Sequence, residues 1–454
     1  MSTSSTIVRG GWVLTATKPS IITDGGVLIQ EGRIAEVGAF VPLRQSHPDA
    51  RVEGGPDAIV MPGLINCHWH ASEGLMVGVE DRKPLFEWID RVIAPTGGVL
   101  DRRMARAGAA LKALELALSG VTTVNDMFVC SPRPDDPVTP GVIDGVEDVG
   151  IRAIVSFGAQ DRSGHPLEAL LAEHDALAQR ASSSRRCTFR LAIATVPSAS
   201  DALLESTVRW LDQKACGLHV HLHEVREEVT ASRMRFGVSS IQRAAQLGLL
   251  DHPTLAAHCV WVSDHDIEVL AEHDVGVSHN PLANMILGSG ICPVPRLRRA
   301  GIAVGIGTDG AASNDAQDML EAMKMTSLLQ KVSALDPAAF GAQEAFEMAT
   351  IGGARALGLD HEIGSLEAGK RADLVVLTRE SLSLATIHDP FLGVVHAASG
   401  REVRDVWVDG EKVVADGHPV KVDASVLIRE AAARASELAQ RAGFGPGDRP
   451  PLDS

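Results

Sequence analysis

The chain has 454 residues, with 58 Asp plus Glu against 42 Lys plus Arg and a formal charge of −16. An acidic balance without basic clusters argues against nucleic acid or an anionic membrane as partner, because both demand positive patches. A hydrophobic share of 45% with 43 glycines indicates a folded, turn-rich protein, too long for one minimal core. The N-terminus has no basic region followed by an apolar stretch, and no apolar run reaches the length of a membrane span, so a cytoplasmic protein is expected. The six cysteines are widely spaced without a CxxC and read as free thiols.

Residues 1–60 read as short strands and turns, such as Ile7–Leu14 and Gly26–Val37, with a hairpin at Glu31-Gly32. A second β-rich stretch, residues 370–422, includes Ala372–Leu377 and Val403–Val414. Two such ends around a long middle predict one small β-sandwich built from both termini. Residues 423–454 read as an amphipathic helix over Asp423–Ala442 and a loose tail from Gly443.

Between these ends, residues 61–369 alternate apolar strand-like runs with helical patterns such as Ala105–Leu118 and Met319–Val332. Counting the run before His68, eight strands are recognisable, which predicts a (β/α)8 TIM barrel. In such barrels chemistry sits at the C-terminal strand ends, and five of the eight carry metal-competent groups. The first ends in His68-Trp69-His70, where strand alternation turns both imidazoles the same way. The fifth ends in His219-Val-His221-Leu-His223-Glu224, the sixth at His258, the seventh at His279 and the eighth at Asp309. Imidazole and carboxylate are the usual ligands of zinc and related metals. His219, His221 and His223 share strand parity, so periodicity does not choose among them. Trp69 has the opposite parity to its neighbours and is expected to pack outward.

In order and spacing the motifs are Pro62-Gly-Leu-Ile-Asn66-x-His68-x-His70, Gly120-Val-Thr-Thr123, His221-x-x-Glu224, His258-Cys259, Ser278-His-Asn-Pro281, Leu287-Gly-Ser-Gly290, Gly305-x-Gly-Thr-Asp309-Gly-x-x-Ser-Asn314 and Gly364–Asp373. With these the chain resembles the amidohydrolase superfamily over nearly its whole length. More narrowly it is similar to the heteroaromatic aminohydrolases and chlorohydrolases, which act on guanine, cytosine, thioadenosine or adenosylhomocysteine, and s-triazines. The resemblance implies metal ligands His68, His70, His221 and Asp309, the spacing to Glu224 selecting His221 from its cluster. It implies Glu224 as proton shuttle, with His258 and His279 around substrate or water. Three neutral imidazoles and one carboxylate would leave a divalent ion positively charged and able to lower the pKa of a bound water toward ~7. Asp309 could accept a proton as water attacks, and His258 could stabilise charge on the intermediate. Glu224 has the opposite strand parity to His221, so it reaches the site only if the strand has already turned.

Binuclear relatives commonly bridge two ions with a carboxylated lysine on the fourth strand. Phe189–Pro197 contains no lysine, so one divalent ion is expected, zinc first and iron second. The resemblance also implies a homodimer. The substrate pocket is expected on the loops after the first four strands, with Trp88, Met127 and Phe128 joined by His279 and Asn284; Glu73, Met76, Phe86, Asp126, Phe157 and Gln160 are further candidates. Nucleoside-acting relatives usually carry Pro-His-Ala-Pro in the fourth-strand loop; here Ser198 follows Pro197, which weakens a nucleoside reading. His279 is retained where the chlorohydrolase acting on atrazine lacks a histidine, which supports deamination. The expected function is hydrolytic deamination of a small heteroaromatic substrate, purine-, pyrimidine-, pterin- or triazine-like. The alternatives are dechlorination or N-dealkylation of s-triazine-like compounds and, more remotely, a non-catalytic scaffold.

Overall fold

The computed structural model describes residues 5–214 and 216–443. Parallel strands form the barrel wall in chain order: Leu64–His70, Val121–Asp126, Arg152–Val155, a divided fourth strand, Leu218–Leu222, Thr254–His258, Gly276–His279 and Val304–Ile306, the last continued by Asp309–Gly310. The wall closes at the fourth strand. Its first piece, Cys187–Phe189, pairs with the third strand, and its second piece, Leu191–Thr195, pairs with the fifth. A parallel bridge from Ala159 to Ile193 seals the seam. Closed parallel strands are covered on both faces, which is why they read as unbroken apolar runs; every residue of Leu64–His70 is buried.

Helices between the strands follow their caps. Arg102–Leu118 starts at Asp101, whose carboxylate accepts from the Met104 amide, and Met319–Ala334 starts at Asp318, which accepts from Leu320 and Glu321. The C-terminal helix spans Ala424–Ala442 with Asp423 as its cap. Its Arg441 pairs with Asp101 at 2.9 Å, which ties it to the start of the first long barrel helix. The expected tail beyond Gly443 lies outside the described residues. Among the described residues, no helix is long and apolar enough to cross a membrane.

Both termini contribute to one continuous mixed sheet. Thr6–Leu14 pairs antiparallel with Ile21–Gln30 and parallel with Arg51–Pro62; Leu374–Thr378 joins the other edge of Arg51–Pro62, followed by Val403–Val408 and Glu411–Ala415. Glu31 and Gly32 form the expected hairpin turn, with φ of 51° and 77°. The two layers of the sandwich are this single sheet folded over: Arg33 at its far edge bridges Arg371 before the returning strand. Val8, Val27, Ile34, Val60, Leu374 and Trp407 fill the interior of the fold. The chain leaves the sheet at Pro62 and enters the barrel at Leu64. Sheet and barrel are also joined by buried ion pairs, Arg152 to Asp373 at 3.1 Å and to Asp409 at 2.7 Å, and Arg186 to Asp409 at 3.1 Å.

Candidate metal centre

The strand-end groups converge at the C-terminal mouth of the barrel. Nε2 of His70 lies 3.2 Å from Nε2 of His221 and 3.3 Å from Oδ1 of Asp309. Nε2 of His68 is 3.4 Å from the same oxygen and, although buried, has no hydrogen-bond partner. Donors about 2.0–2.1 Å from one tetrahedral ion stand about 3.3–3.4 Å from each other. The separations of 3.2–3.4 Å are those expected of neighbouring donors on a single ion. Two triads with metal-ligand geometry, His68–His70–His221 and His68–His258–Asp309, share His68 and describe one centre.

The other nitrogen of each imidazole is held in place. His70 Nδ1 donates to the Met127 carbonyl at 2.5 Å, His221 Nδ1 to the Ala194 carbonyl at 2.8 Å, and His68 Nδ1 meets His219 Nε2 at 2.9 Å. A proton on Nδ1 leaves the Nε2 lone pair for an ion. Burial, followed by the neighbouring imidazoles, pushes the His68 pKa well below 6.5, and burial lowers His221 to about 4, so both rings are neutral and could ligate an ion. Asn66 ties the first strand to the eighth, donating to Thr308 Oγ1 at 2.7 Å and accepting from its amide at 3.1 Å. A side chain at Gly307 would overlap Asn280 and crowd His68, so glycine is required where the eighth strand passes the ligands.

The backbone turns sharply here. His223, His258, Cys259 and Asp309 all have positive φ, between 49° and 74°, a conformation non-glycine residues adopt only under tertiary constraint. The turn at His223 (φ 55°) brings Glu224 into the site despite its parity. It also sends the His223 ring away, its Nδ1 donating to the Trp261 carbonyl at 3.1 Å. Glu224 places Oε2 3.5 Å from His258 Nε2 and accepts from Ser289 at Oε1 over 3.2 Å. Burial first, then Asp309 and Glu228, raises its pKa well above the usual carboxylate range, which favours its protonated form.

His258 accepts at Nδ1 from the amide of Asn284 (3.0 Å), while Asn280, held by Ser278, lies against the ring, 3.2 Å from Nδ1 and 3.5 Å from Nε2. Its proton therefore sits on Nε2, facing Glu224 and Asp309 Oδ2, which is 3.7 Å away. This places Asn284 behind His258. Both ring nitrogens of His279 lack partners, and burial lowers its pKa to about 3, leaving a neutral ring.

Of the other pocket candidates, Met127 supplies the carbonyl that holds His70. Phe128 is fully buried in the main core and bridges Phe157. Trp88 ends the short helix Leu85–Trp88 and is buried with its Nε1 unpaired. Phe86 is exposed. Glu73 accepts from the Ala312 amide at 3.0 Å and clamps the turn after Asp309. Trp69 is fully buried in the main core. Cys67 and Cys259 are buried free thiols. Ser198 closes its own turn, receiving the Thr195 amide at 3.1 Å and donating to the Thr195 carbonyl at 2.9 Å.

The amidohydrolase family model matches residues 59–413. This chain belongs to the amidohydrolase family. The amidohydrolase is 36% identical over 444 residues to a 5'-deoxyadenosine deaminase of Methanopyrus kandleri, a match covering 95% of this chain and 98% of that protein. It is 37% identical over 434 residues to a 5-methylthioadenosine/S-adenosylhomocysteine deaminase of Desulforudis audaxviator, again covering 95% and 98%. Among solved structures it superposes on a zinc-bound adenosine deaminase from Xanthomonas campestris with a TM-score of 0.90 at 29% identity, covering 96% of this chain and 99% of that one. An atrazine chlorohydrolase from Arthrobacter aurescens TC1 complexed with zinc gives a TM-score of 0.87 at 25% identity, covering 95% and 100%.

The residues that close the site but lie outside those motifs are Asn125, Ser156 and His219. They come from different strands and loops, and only barrel closure brings them together.

Proposed function

We propose that this amidohydrolase is a zinc-dependent deaminase that replaces the exocyclic amine of a heteroaromatic ring with hydroxyl, and that its substrate is an adenine nucleoside modified at the 5′ position. The observation that carries the reading is the gathering of His68, His70, His221 and Asp309 at the barrel mouth beside Glu224, whose pKa burial holds well above the usual carboxylate range. A divalent ion held by these residues would lower the pKa of water toward ~7. Asp309 Oδ2 would take a proton from the attacking water, and Glu224 would give its proton to a ring nitrogen. The proton on Asp309 would then pass to the departing amine, which leaves as ammonia, while Glu224 recovers a proton from the oxygenated ring. His258 Nε2–H donates to the incoming oxygen. The balance is one water consumed and one ammonia released for each amine replaced. Iron is the second choice of metal, because the donor set suits both.

Deaminase relatives at 36–37% identity over nearly the whole chain support an adenine nucleoside. Ser198, with its hydroxyl committed to its own turn, offers no replacement for the missing loop histidine, so the sugar is expected to be held by other residues.

Purified zinc-loaded protein is incubated with 5′-modified adenosines, free purines, pyrimidines, pterins and triazines while ammonia and chloride are measured. Ammonia from the nucleosides is expected. Chloride without ammonia from any aminated ring would overturn the deaminase reading, and deamination of free bases alone would overturn its nucleoside part. Glu224→Gln should retain the metal but lose roughly 10²–10⁴-fold in turnover; retained turnover would place the shuttle elsewhere.

A further inference from the structure

His219 stands two residues before His221 in the fifth strand, one layer deeper in the barrel and fully buried. Its Nε2 lies 2.9 Å from Nδ1 of His68, the rings meeting edge to face with centroids 5.0 Å apart. Beyond it, Nδ1 meets Ser156 Oγ at 3.3 Å, and Asn125 Nδ2 lies against the ring, 3.1 Å from Nδ1 and 3.4 Å from Nε2. Ser156 donates to the Asp126 carbonyl at 2.6 Å, and Asn125 to the Cys67 carbonyl at 3.0 Å. The two residues behind His219 are thus anchored on main-chain oxygens of the first two strands.

The geometry points to His219 as a positioning residue of the metal centre, one that selects the ligating tautomer of His68. The inference rests on the metal-dependent reading above. The other two imidazole ligands donate Nδ1–H to backbone carbonyls, which only accept, so their Nε2 atoms are bare whatever else changes. His68 instead faces a second imidazole, which can accept or donate. If His219 donates from Nε2, His68 holds its proton on Nε2 and cannot ligate. If His219 accepts at Nε2, its own proton sits on Nδ1 and points at the lone pairs of Ser156, whose hydroxyl hydrogen is already committed to Asp126. His68 then carries its proton on Nδ1 and presents a bare Nε2. The two arrangements hold the same number of protons, and an ion selects the second.

The test compares the full-length parent with His219→Leu and His219→Gln. Zinc affinity is measured by competition with a chromophoric chelator, and the ligand field is read from the visible absorption of the cobalt-loaded protein. Loss of the acceptor in His219→Leu should weaken zinc binding about 10–100-fold and alter the cobalt spectrum. His219→Gln, whose side-chain carbonyl can accept from His68, should stay within about threefold of the parent with a near-parental spectrum. Ser156→Ala removes only the far end of the relay; it should shift the spectrum in the same direction as Leu, and it carries the test if His219→Leu does not fold. Zinc binding by the Leu variant equal to the parent, or equal losses in Leu and Gln, would overturn the positioning role alone. A parent that binds no zinc would overturn the metal reading and this inference with it.

Discussion

His174 provides a buried titration remote from the metal centre. It lies in the helix Leu167–Ser182, its ring surrounded by Phe157, Trp210 and Phe189 at centroid distances of 5.2, 5.7 and 6.2 Å. Its Nδ1 has no partner, and burial lowers the pKa from 6.5 to about 3. The folded state keeps this ring neutral, whereas the unfolded chain protonates it below pH 6.5. Its contribution to stability is therefore complete above pH 6.5 and is lost as pH falls toward 3. Linkage sets the loss at about 2 kcal/mol by pH 5 and about 4 kcal/mol by pH 3. In His174→Leu the titrating group is absent, so the parent should lose about 2 kcal/mol more than the variant between pH 8 and pH 5. Urea unfolding at both pH values, with chelator present throughout and followed by intrinsic tryptophan fluorescence, measures that difference. Parallel losses in parent and variant would show that His174 charges in the folded state and would refute the argument. The ring also packs against Phe157, next to the strand end whose Met127 carbonyl holds His70, so acid opening there is expected to disturb the site early.

Two further perturbations separate fold from site. Asp409→Asn leaves the buried guanidinium groups of Arg152 and Arg186 without their shared carboxylate, and should cost about 3–5 kcal/mol in thermal or chemical unfolding while leaving kcat per folded molecule unchanged. Gly310→Ala drives a methyl group into the Glu73 carboxylate beside Asp309. It should destabilise the protein by about 1–3 kcal/mol and reduce bound zinc per chain, both measurable on the same preparation by calorimetry and elemental analysis. Full zinc occupancy in that variant would mean that the turn after Asp309 tolerates displacement.

The chemistry of this protein was largely legible before any coordinates because it is written in local periods. A two-residue strand period places His68 and His70 on one side, repeated strand–helix alternation implies a barrel, and a barrel puts its reactive groups at one end. Periodicity could not choose among His219, His221 and His223, since all three share parity. The tertiary structure assigns each a separate place: His221 at the centre, His219 behind His68, and His223 turned outward by a positive φ. That same turn carries Glu224 into the site, against its strand parity. The relay of Asn125, Ser156 and His219 joins residues 94 and 63 positions apart in the chain, a distance over which no local pattern reports. The sequence by itself determined the architecture and the gathering of histidines and an aspartate at the strand ends, which rest on side-chain chemistry and short-range periods, whereas the choice of His221 among them rests on resemblance to the amidohydrolases. Only the closed barrel decided which nitrogen faces the ion and which carboxyl holds a proton, because tautomer and protonation depend on neighbours that meet through burial.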